Sequence, residues 1–362
     1  MKILQVINSL GIGGAEKLVM DSTLWLSKKE DIVDVLLLNG AETDFKYALI
    51  KDGIRVFSLG NKNNIYNPIL IFKIISFLKE YDLVHVHLFP AQYWVVIANF
   101  LSGSKIRLVT TEHSTSNRRR YIWAFKWIDR LIYKYYDKII AISPQTKEAL
   151  AHYIGNDEYI TTIFNGVNLQ FITSSLPYLK KELVGDQKAK IIIQVAGFRL
   201  EKDQDTVIDA LKKLPEDVHL VLVGDGPRKV VCEEKVRRLD IESRVHFLGL
   251  RTDVPRLLKT ADVVVMSSHW EGFGLAAVEG MAAGKPVIVS NVPGLAEIVK
   301  GHGLLFEKGN EWELSELLKQ LFNTQDFYDK IAFQCLNRAS SFSIDKMMKQ
   351  YREVYKTVCQ LS

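Results

Sequence analysis

Two glutamates that are separated by seven residues stand out in the second half of the sequence, Glu271 and Glu279. Gly272-Phe273-Gly274 lies between them and breaks any helix that would join the two acids. The Ala-rich run from Leu275 predicts a helix that begins just after Gly274, with Glu279 about one turn inside it. Backbone amides at a helix N-terminus hold phosphate well. We therefore interpret the stretch as a diphosphate site with a hydroxyl-binding carboxylate on either side, an arrangement that suits a nucleotide-sugar.

A purely structural interpretation is also open, in which Glu271 caps the helix and Glu279 is a solvated helical residue. Two acids, two glycines and a helix start between predicted strands together favour the functional interpretation. The stretch closely resembles the E-x7-E donor-site motif of the retaining glycosyltransferases of family four, which have the two-domain GT-B fold. The flanks at Leu222–Pro227 and Phe247–Gly249 extend the resemblance over most of the second half.

The resemblance implies a reaction and a role for each residue of this stretch. A hexose or N-acetylhexosamine would move from a nucleotide diphosphate, preferably UDP, to an acceptor hydroxyl with its anomeric configuration retained. Glu271 would hold the donor-sugar hydroxyls and Glu279 the ribose, while the amides of Phe273, Gly274 and Leu275 would stabilise the departing diphosphate. No second carboxylate is evident at the reacting face of the sugar, so a double displacement is not supported. The family implies a front-face transfer.

Three further positions match the family, and a fourth departs from it. Lys202 matches the lysine that holds the diphosphate, and the family arginine five residues earlier is here Gly197, so we expect Arg199 to supply that charge. His113 follows a predicted strand and matches the histidine that hydrogen-bonds the donor sugar; a structural histidine is the alternative. Arg251 lies where relatives hold the base through backbone groups.

A glycine-rich loop follows the first predicted strand. Gly13 and Gly14 open a helix there, and such a loop lets the backbone approach a phosphate, although a tight turn without a ligand is the alternative. The sequence GGAE resembles the first loop of family members that build bacterial surface polysaccharides, where the loop borders the diphosphate and the acceptor. The implied acceptor is a lipid-linked glycan, for example on polyprenyl diphosphate, in capsule, O-antigen or similar synthesis.

Basic and aromatic residues interleave from Thr111 to Lys138, among them Arg118, Arg119 and Arg120. A basic helix with amphipathic aromatic side chains favours an anionic membrane interface. We therefore hypothesise that the three arginines contact the acceptor or the inner membrane leaflet. A packed helix with a solvated basic loop is the alternative.

Neither a metal nor another cofactor is expected. Asp203-Gln204-Asp205 offers the D-x-D spacing of a metal site, but it precedes a helical run, for which capping is the simpler role. A cationic site with Lys202 and a helix N-terminus neutralises a diphosphate without metal. His85 and His87 form an H-x-H pair that nothing nearby completes to a zinc site, and we expect their rings on opposite faces of a strand.

The composition is that of an ordinary globular protein, with 48% hydrophobic and 25% charged residues. The 362 residues favour two domains, and no apolar run reaches the length of about eighteen residues that a membrane span needs. The net charge of +5 is mild and no nucleic-acid-binding module is recognisable, so nucleic acid is not an expected partner. Three widely spaced cysteines favour reduced thiols. We expect a cytoplasmic protein, at most peripheral on the inner face of the membrane.

Short apolar runs alternate with helical patterns along the chain, which predicts parallel α/β sheets with helices on both faces. Strands are predicted at residues 3–7, 33–38, 55–57, 83–87, 107–110, 138–142, 191–195, 219–223, 244–247, 263–266, 286–289 and 303–306. The resemblance implies two doubly wound Rossmann-like domains that face a deep cleft. They are an acceptor domain at 1–165 and a donor domain at 166–343, linked through residues 173–177, with a C-terminal helix at about 344–362 that crosses back to the first domain.

Two other functions stay open on the sequence. One is a nucleotide-sugar epimerase of similar two-domain architecture, against which the E-x7-E stretch argues. The other is a non-catalytic sugar-nucleotide-binding protein, which would be expected to lack Glu271, Glu279 or Lys202, and all three are present.

Overall fold

The computed structural model describes residues 1–60, 64–104, 106–115 and 118–360, apart from the side chains of Arg118 and Tyr121. The chain divides into two compact units. Unit 1 comprises Met1–Gly166 with Ile344–Ser362, and unit 2 comprises Val167–Ser343. Among the described residues, no helix is both long and apolar enough to cross a membrane.

Each unit is built on one parallel sheet. The strands of unit 1 are β1 (Lys2–Ile7), β2 (Ile32–Leu37), β3 (Val56–Ser58), β4 (Leu83–His87), β5 (Arg107–Glu112), β6 (Lys138–Ala141) and β7 (Ile160–Thr162). Those of unit 2 are β8 (Lys190–Val195), β9 (Val218–Val223), β10 (Val245–Gly249), β11 (Val263–Met266), β12 (Val287–Ser290) and β13 (Leu304–Phe306). The orders are β3-β2-β1-β4-β5-β6-β7 and β10-β9-β8-β11-β12-β13, which are the doubly wound arrangements that the sequence predicts.

Helices connect the strands, as parallel pairing requires. In unit 1 they are α1 (Gly14–Ser27), α2 (Asp44–Lys51), α3 (Ile69–Leu78), α4 (Ala91–Leu101), α5 (Trp123–Tyr133) and α6 (Pro144–Ile154), with a 3-10 helix at Arg118–Tyr121. In unit 2 they are α7 (Leu169–Ser174), α8 (Lys180–Val184), α9 (Gln204–Leu211), α10 (Lys229–Arg238), α11 (Val254–Thr260), α12 (Leu275–Ala282), α13 (Ala296–Val299), α14 (Glu311–Asn323) and α15 (Gln325–Ala339). The last helix, α16 (Ile344–Gln360), returns to unit 1.

The helix α16 packs against α1, which confirms the predicted return of the chain to unit 1. Its apolar stripe, which includes Met348, Tyr351 and Tyr355, joins the same buried cluster as Leu18 and Val19 of α1. Residues three and four apart share one face of a helix, so this stripe follows from the sequence pattern.

Two features of the fold differ from the sequence expectations. Strand β7 was not predicted, because its three residues at the sheet edge carry too short a pattern to distinguish from a loop. Residues 173–177 were expected to link the domains, but Thr173 and Ser174 instead end helix α7 within unit 2. The side chain of Asn168 caps this helix by accepting a hydrogen bond from the Phe171 amide at 3.0 Å, a signal that the sequence does carry.

Candidate active site

Lys202 and Glu271 meet as an ion pair between the Lys202 Nζ and Glu271 Oε2 atoms. Lys202 follows β8 and Glu271 follows β11, and these strands are neighbours in the sheet of unit 2. The carboxyl ends of parallel strands lie at one edge of a sheet, so the two loops are brought side by side. Their side chains are 20% and 16% exposed, which leaves the pair reachable from solvent.

Backbone contacts hold these two loops together. Gln194 of β8 donates its amide Nε2–H to the Lys202 carbonyl at 2.9 Å, and the Ser267 hydroxyl donates to the Asp203 carbonyl at 2.6 Å. The His269 amide donates to the Glu201 carbonyl at 2.8 Å. The sequence interpretation missed Gln194 and Ser267, although a lone polar residue within the apolar run of β8 was an available signal.

The Asp203-Gln204-Asp205 segment caps a helix, as predicted. The Asp203 carboxylate accepts a hydrogen bond from the Thr206 hydroxyl at 2.6 Å and bonds the Thr206 amide at the start of α9. Asp205 instead forms an ion pair with Arg228 at 2.5 Å. Among the described residues, no group of three histidine, cysteine, aspartate or glutamate side chains is placed to hold a metal ion.

The loop that carries Glu271 turns into α12 at Gly274, as the sequence predicts. Gly274 has φ 78°, a left-handed conformation that favours glycine, and a Cβ there would lie 2.3 Å from Leu295 Cδ2. Phe273 is buried and its ring lies 5.5 Å from that of Phe342, which anchors the loop. Helix α12 begins at Leu275, whose amide has no acceptor within its own helix and points towards the N-terminal end, whereas the Ala277 amide donates to the Gly274 carbonyl at 3.0 Å.

Glu279 lies in the second turn of α12 and is only 5% exposed. Gly274 occupies the N-cap position of the helix, without a side-chain cap. The structural alternatives for the two acids, a cap at Glu271 and a solvated Glu279, therefore do not describe this site. A carboxylate that is kept in a buried position needs hydrogen-bond or charge partners.

Two arginines flank the unit 2 site in different ways. Arg199 is 69% exposed, and its Nε lies 3.9 Å from the place where a Cβ on Gly197 would stand. The guanidinium of Arg199 thus lies near residue 197, the position in the sequence where the family has its arginine. Arg251 binds Asp253 through two hydrogen bonds at 2.7 and 2.5 Å, and this contact lowers the pKa of Asp253 to about 2.

The glycine-rich loop of unit 1 opens α1 at the predicted place. Gly13 is the N-cap residue and Gly14 the first helical residue. The Glu16 carboxylate folds back over this turn, with its Oε2 2.4 Å from the position of a Cβ on Gly13. A side chain at residue 13 would therefore displace Glu16.

His113 follows β5 and forms a hydrogen bond with His87, whose Nδ1 lies 3.0 Å from His113 Nε2. The expected placement of His85 and His87 on opposite faces of β4 is wrong, because their ring centroids are only 4.2 Å apart. Side chains two residues apart in a strand point to the same face. His85 is held by the Tyr355 hydroxyl at 2.6 Å and the Thr111 hydroxyl at 2.8 Å.

The predicted exposed arginine face is also corrected. Arg119 donates to buried Asp129 at 3.1 Å, and Arg120 lies 3.5 Å from Glu112; both arginine side chains are only 9% exposed. Desolvated cations need such partners, so these two residues stabilise unit 1 internally. The side chain of Arg118 lies outside the part of the chain that the structure describes.

Comparisons with known proteins indicate the family of the chain. The family model for group 1 glycosyl transferases matches residues 178–334, and that for glycosyltransferase family 4 matches residues 12–171. The N-acetyl-α-D-glucosaminyl L-malate synthase of Bacillus anthracis is 28% identical over 76% of this chain and 75% of its own length. The Escherichia coli UDP-Gal:α-D-GlcNAc-diphosphoundecaprenol α-1,3-galactosyltransferase is 27% identical over 88% of this chain and 86% of its own.

A solved structure extends the similarity to the whole chain. HepE of Anabaena, crystallised in complex with UDP-glucose, superposes with a TM-score of 0.87 at 27% identity, over 99% of this chain and 100% of that one. The two family models adjoin and together span most of the sequence. The chain therefore belongs to the glycosyltransferases of family four and has the GT-B fold.

Proposed function

We propose that this glycosyltransferase moves a hexose or N-acetylhexosamine from a UDP-sugar to a hydroxyl of a lipid-linked glycan, with retention of the anomeric configuration. Unit 2 would bind the donor and unit 1 the acceptor. The UDP-glucose complex of HepE supports the donor class, and the diphosphoundecaprenol substrate named for the E. coli relative supports the acceptor class.

The observation that carries this proposal is the Lys202–Glu271 pair beside the N-terminus of α12. A diphosphate at the helix N-terminus would attract the Lys202 ammonium away from Glu271. The released carboxylate would then accept hydrogen bonds from sugar hydroxyls, while buried Glu279 would take the ribose. One binding event would thus exchange an internal ion pair for two contacts with the donor.

Bond cleavage places new negative charge on the diphosphate. Lys202, the first-turn amides of α12 and the exposed guanidinium of Arg199 are the groups that would stabilise it. The leaving diphosphate would then accept the proton of the attacking hydroxyl on the same face of the sugar. We propose that these fixed charges make the reaction independent of a metal ion.

An exposed face of α5 is the proposed contact with the membrane, in place of the buried arginines. Trp123, Trp127 and Leu131, which are 78%, 65% and 57% exposed, follow one another at four-residue spacing on one side of this helix. Lys126 and Arg130 form the adjoining basic stripe, and the Arg130 guanidinium lies 5.5 Å from the Trp127 ring centroid. Aromatic groups beside cations suit an anionic lipid surface, where the lipid-linked acceptor would reside.

A donor screen tests the proposal. Purified protein is heated with UDP- and GDP-sugars, with and without EDTA, and slow donor hydrolysis is followed. We expect stabilisation and EDTA-insensitive release of UDP, and an α-linked product from an α-donor by NMR. Mn²⁺- or Mg²⁺-restored activity after EDTA would contradict metal independence, an inverted product would contradict retention, and donor isomerisation without acceptor would indicate an epimerase.

A further inference from the structure

A row of uncharged hydrogen-bonding groups leads through unit 1 to His113. Gln5 Oε1 on β1 lies 2.9 Å from His87 Nε2 on β4, and His87 Nδ1 lies 3.0 Å from His113 Nε2 after β5. The strands β1, β4 and β5 are consecutive neighbours in the sheet, and their register pairs Gln5 with His85 and His87 with Thr111, two residues before His113. Gln5 and His87 are buried, whereas His113 is partly exposed.

The protons along this row can be counted. Burial lowers the pKa of His113 to about 4 and holds that of His87 well below its usual value, so both rings are neutral and carry one N–H each. The Gln5 carbonyl oxygen only accepts, which places the His87 proton on Nε2 and leaves its Nδ1 bare. His113 must then donate its Nε2–H to His87, and its own Nδ1 is left without a proton.

We propose that Gln5 and His87 are positioning residues that fix the tautomer of His113, so that His113 presents Nδ1 to its ligand as a hydrogen-bond acceptor. The proposal rests on the proposed function only where it names that ligand as a sugar hydroxyl. A hydroxyl donates to a bare ring nitrogen, but an ionised carboxylate at the same position does not. The row therefore favours a neutral hydroxyl-bearing sugar over a uronic acid at this contact.

The surroundings of the row keep it neutral and fixed. The ring of His85 packs against that of His87 and is itself held by Thr111 and Tyr355. Every described hydrogen-bond partner of the three rings is uncharged. An imidazolium in this row would have no carboxylate to compensate its desolvation. The positions of the protons are therefore set by the groups at the two ends of the row, which are Gln5 and the ligand of His113.

Long-range ¹H–¹⁵N NMR of the full-length protein labelled with ¹⁵N-histidine measures the tautomer directly. We expect a bare-nitrogen signal for His113 Nδ1 and an N–H signal for Nε2, assigned by comparison with His113→Asn. The reverse pattern would overturn the proposal. Gln5→Met removes the acceptor and should populate both tautomers of His113; an unchanged pattern in Gln5→Met would show that Gln5 does not set it.

Kinetics separate this proposal from the proposed function. With an active UDP-sugar, Gln5→Met should raise KM or lower kcat several-fold, although methionine fills the same space. Unchanged KM and kcat in Gln5→Met would remove Gln5 from the positioning of His113. If the NMR pattern is as expected but no nucleotide-sugar binds, the transfer function fails and the tautomer assignment stands.

Discussion

The Lys202 ammonium is ion-paired with the Glu271 carboxylate, although the two residues are far apart in the sequence and arise from loops after adjacent strands. Each side chain neutralises the charge of the other. The same charges would bind opposite parts of a nucleotide-sugar, the diphosphate and the sugar. Under the proposed function, the pair would be a preformed site whose partners are exchanged when the donor enters.

Lys202→Ala should lower the rate of sugar transfer about 100-fold or more, because one cation that stabilises the leaving group is lost. Steady-state kinetics with the donor found in the screen measure this. Lys212→Ala, at an exposed position after α9 of the same unit, is the matched control and should keep wild-type activity. Equal rates for Lys202→Ala and wild type would remove Lys202 from the mechanism.

Gly274→Ala should destabilise unit 2 by about 1–3 kcal/mol, because alanine is strained at φ 78° and would meet Leu295. Urea unfolding measures the free energy. Gly301→Ala is the control, since Gly301 has φ 79° but open space around its Cβ position. The difference between the two variants isolates the Leu295 contact, and Gly274→Ala should cost less in a Leu295→Ala background than in the wild-type protein. Equal losses in Gly274→Ala and Gly301→Ala would mean that only the backbone matters.

Arg119→Ala should destabilise unit 1 by about 3 kcal/mol, because it leaves buried Asp129 without its cation. The hydroxyls of Tyr93 and Tyr153 still donate to Asp129, at 2.6 and 2.9 Å, which limits the loss. Lys134→Ala, at an exposed basic position, should change the free energy of unfolding by no more than about 0.5 kcal/mol. A loss of vesicle binding without a loss of stability in Arg119→Ala would restore the membrane role first expected for this arginine.

Trp127→Ser should reduce binding to anionic phospholipid vesicles about tenfold, since an inserted indole contributes well over 1 kcal/mol. Co-sedimentation at fixed lipid concentration measures the bound fraction. Trp312→Ser removes an equally exposed tryptophan, 63% accessible, from α14 of unit 2 and should bind as wild type does. Equal binding by all three proteins would exclude α5 as the docking face.

The free energy of unfolding should fall as the pH drops below about 6.5, partly because of His85. Burial lowers the pKa of His85 to about 3 in the folded protein, so between pH 6.5 and 3 the unfolded chain binds a proton that the folded protein does not. Each such histidine contributes a slope of up to about 1.4 kcal/mol per pH unit. Urea unfolding at pH 7 and pH 5 should show a smaller difference for His85→Asn than for wild type, and an equal difference in the two proteins would remove His85 from the pH dependence.

Most of the fold follows from the sequence, because the apolar runs of the central strands and the breaks between them leave few alternatives. The run that became β4 was predicted with its observed bounds, since both of its faces are buried. Short edge elements were harder to predict. Three-residue β7 carries no period, and α7 is stabilised by an asparagine cap together with contacts to α11 and α12 that lie far along the chain.

The candidate site also has parts that the sequence predicts and parts that it does not. Spacing in the sequence is enough to suggest that Glu271 and Glu279 flank a helix start, because the intervening residues fix local geometry. It does not reveal that Arg119 and Arg120 are buried, since their partners are chosen by the packing of α5 against the sheet. Nor does it reveal Gln194, whose role depends on the loop of a neighbouring segment.

The placement of α16 in unit 1 reverses the usual order in which a nascent chain matures. Unit 2 is encoded between the two parts of unit 1, so the ribosome delivers all of unit 2 before α16 emerges. Until α16 is synthesised, the surface of α1 that is buried together with Tyr351 stays exposed to solvent, and His85 lacks its hydrogen bond with the Tyr355 hydroxyl. The first unit to be synthesised is the last to be completed, and during that interval its exposed apolar surface is what a chaperone would bind.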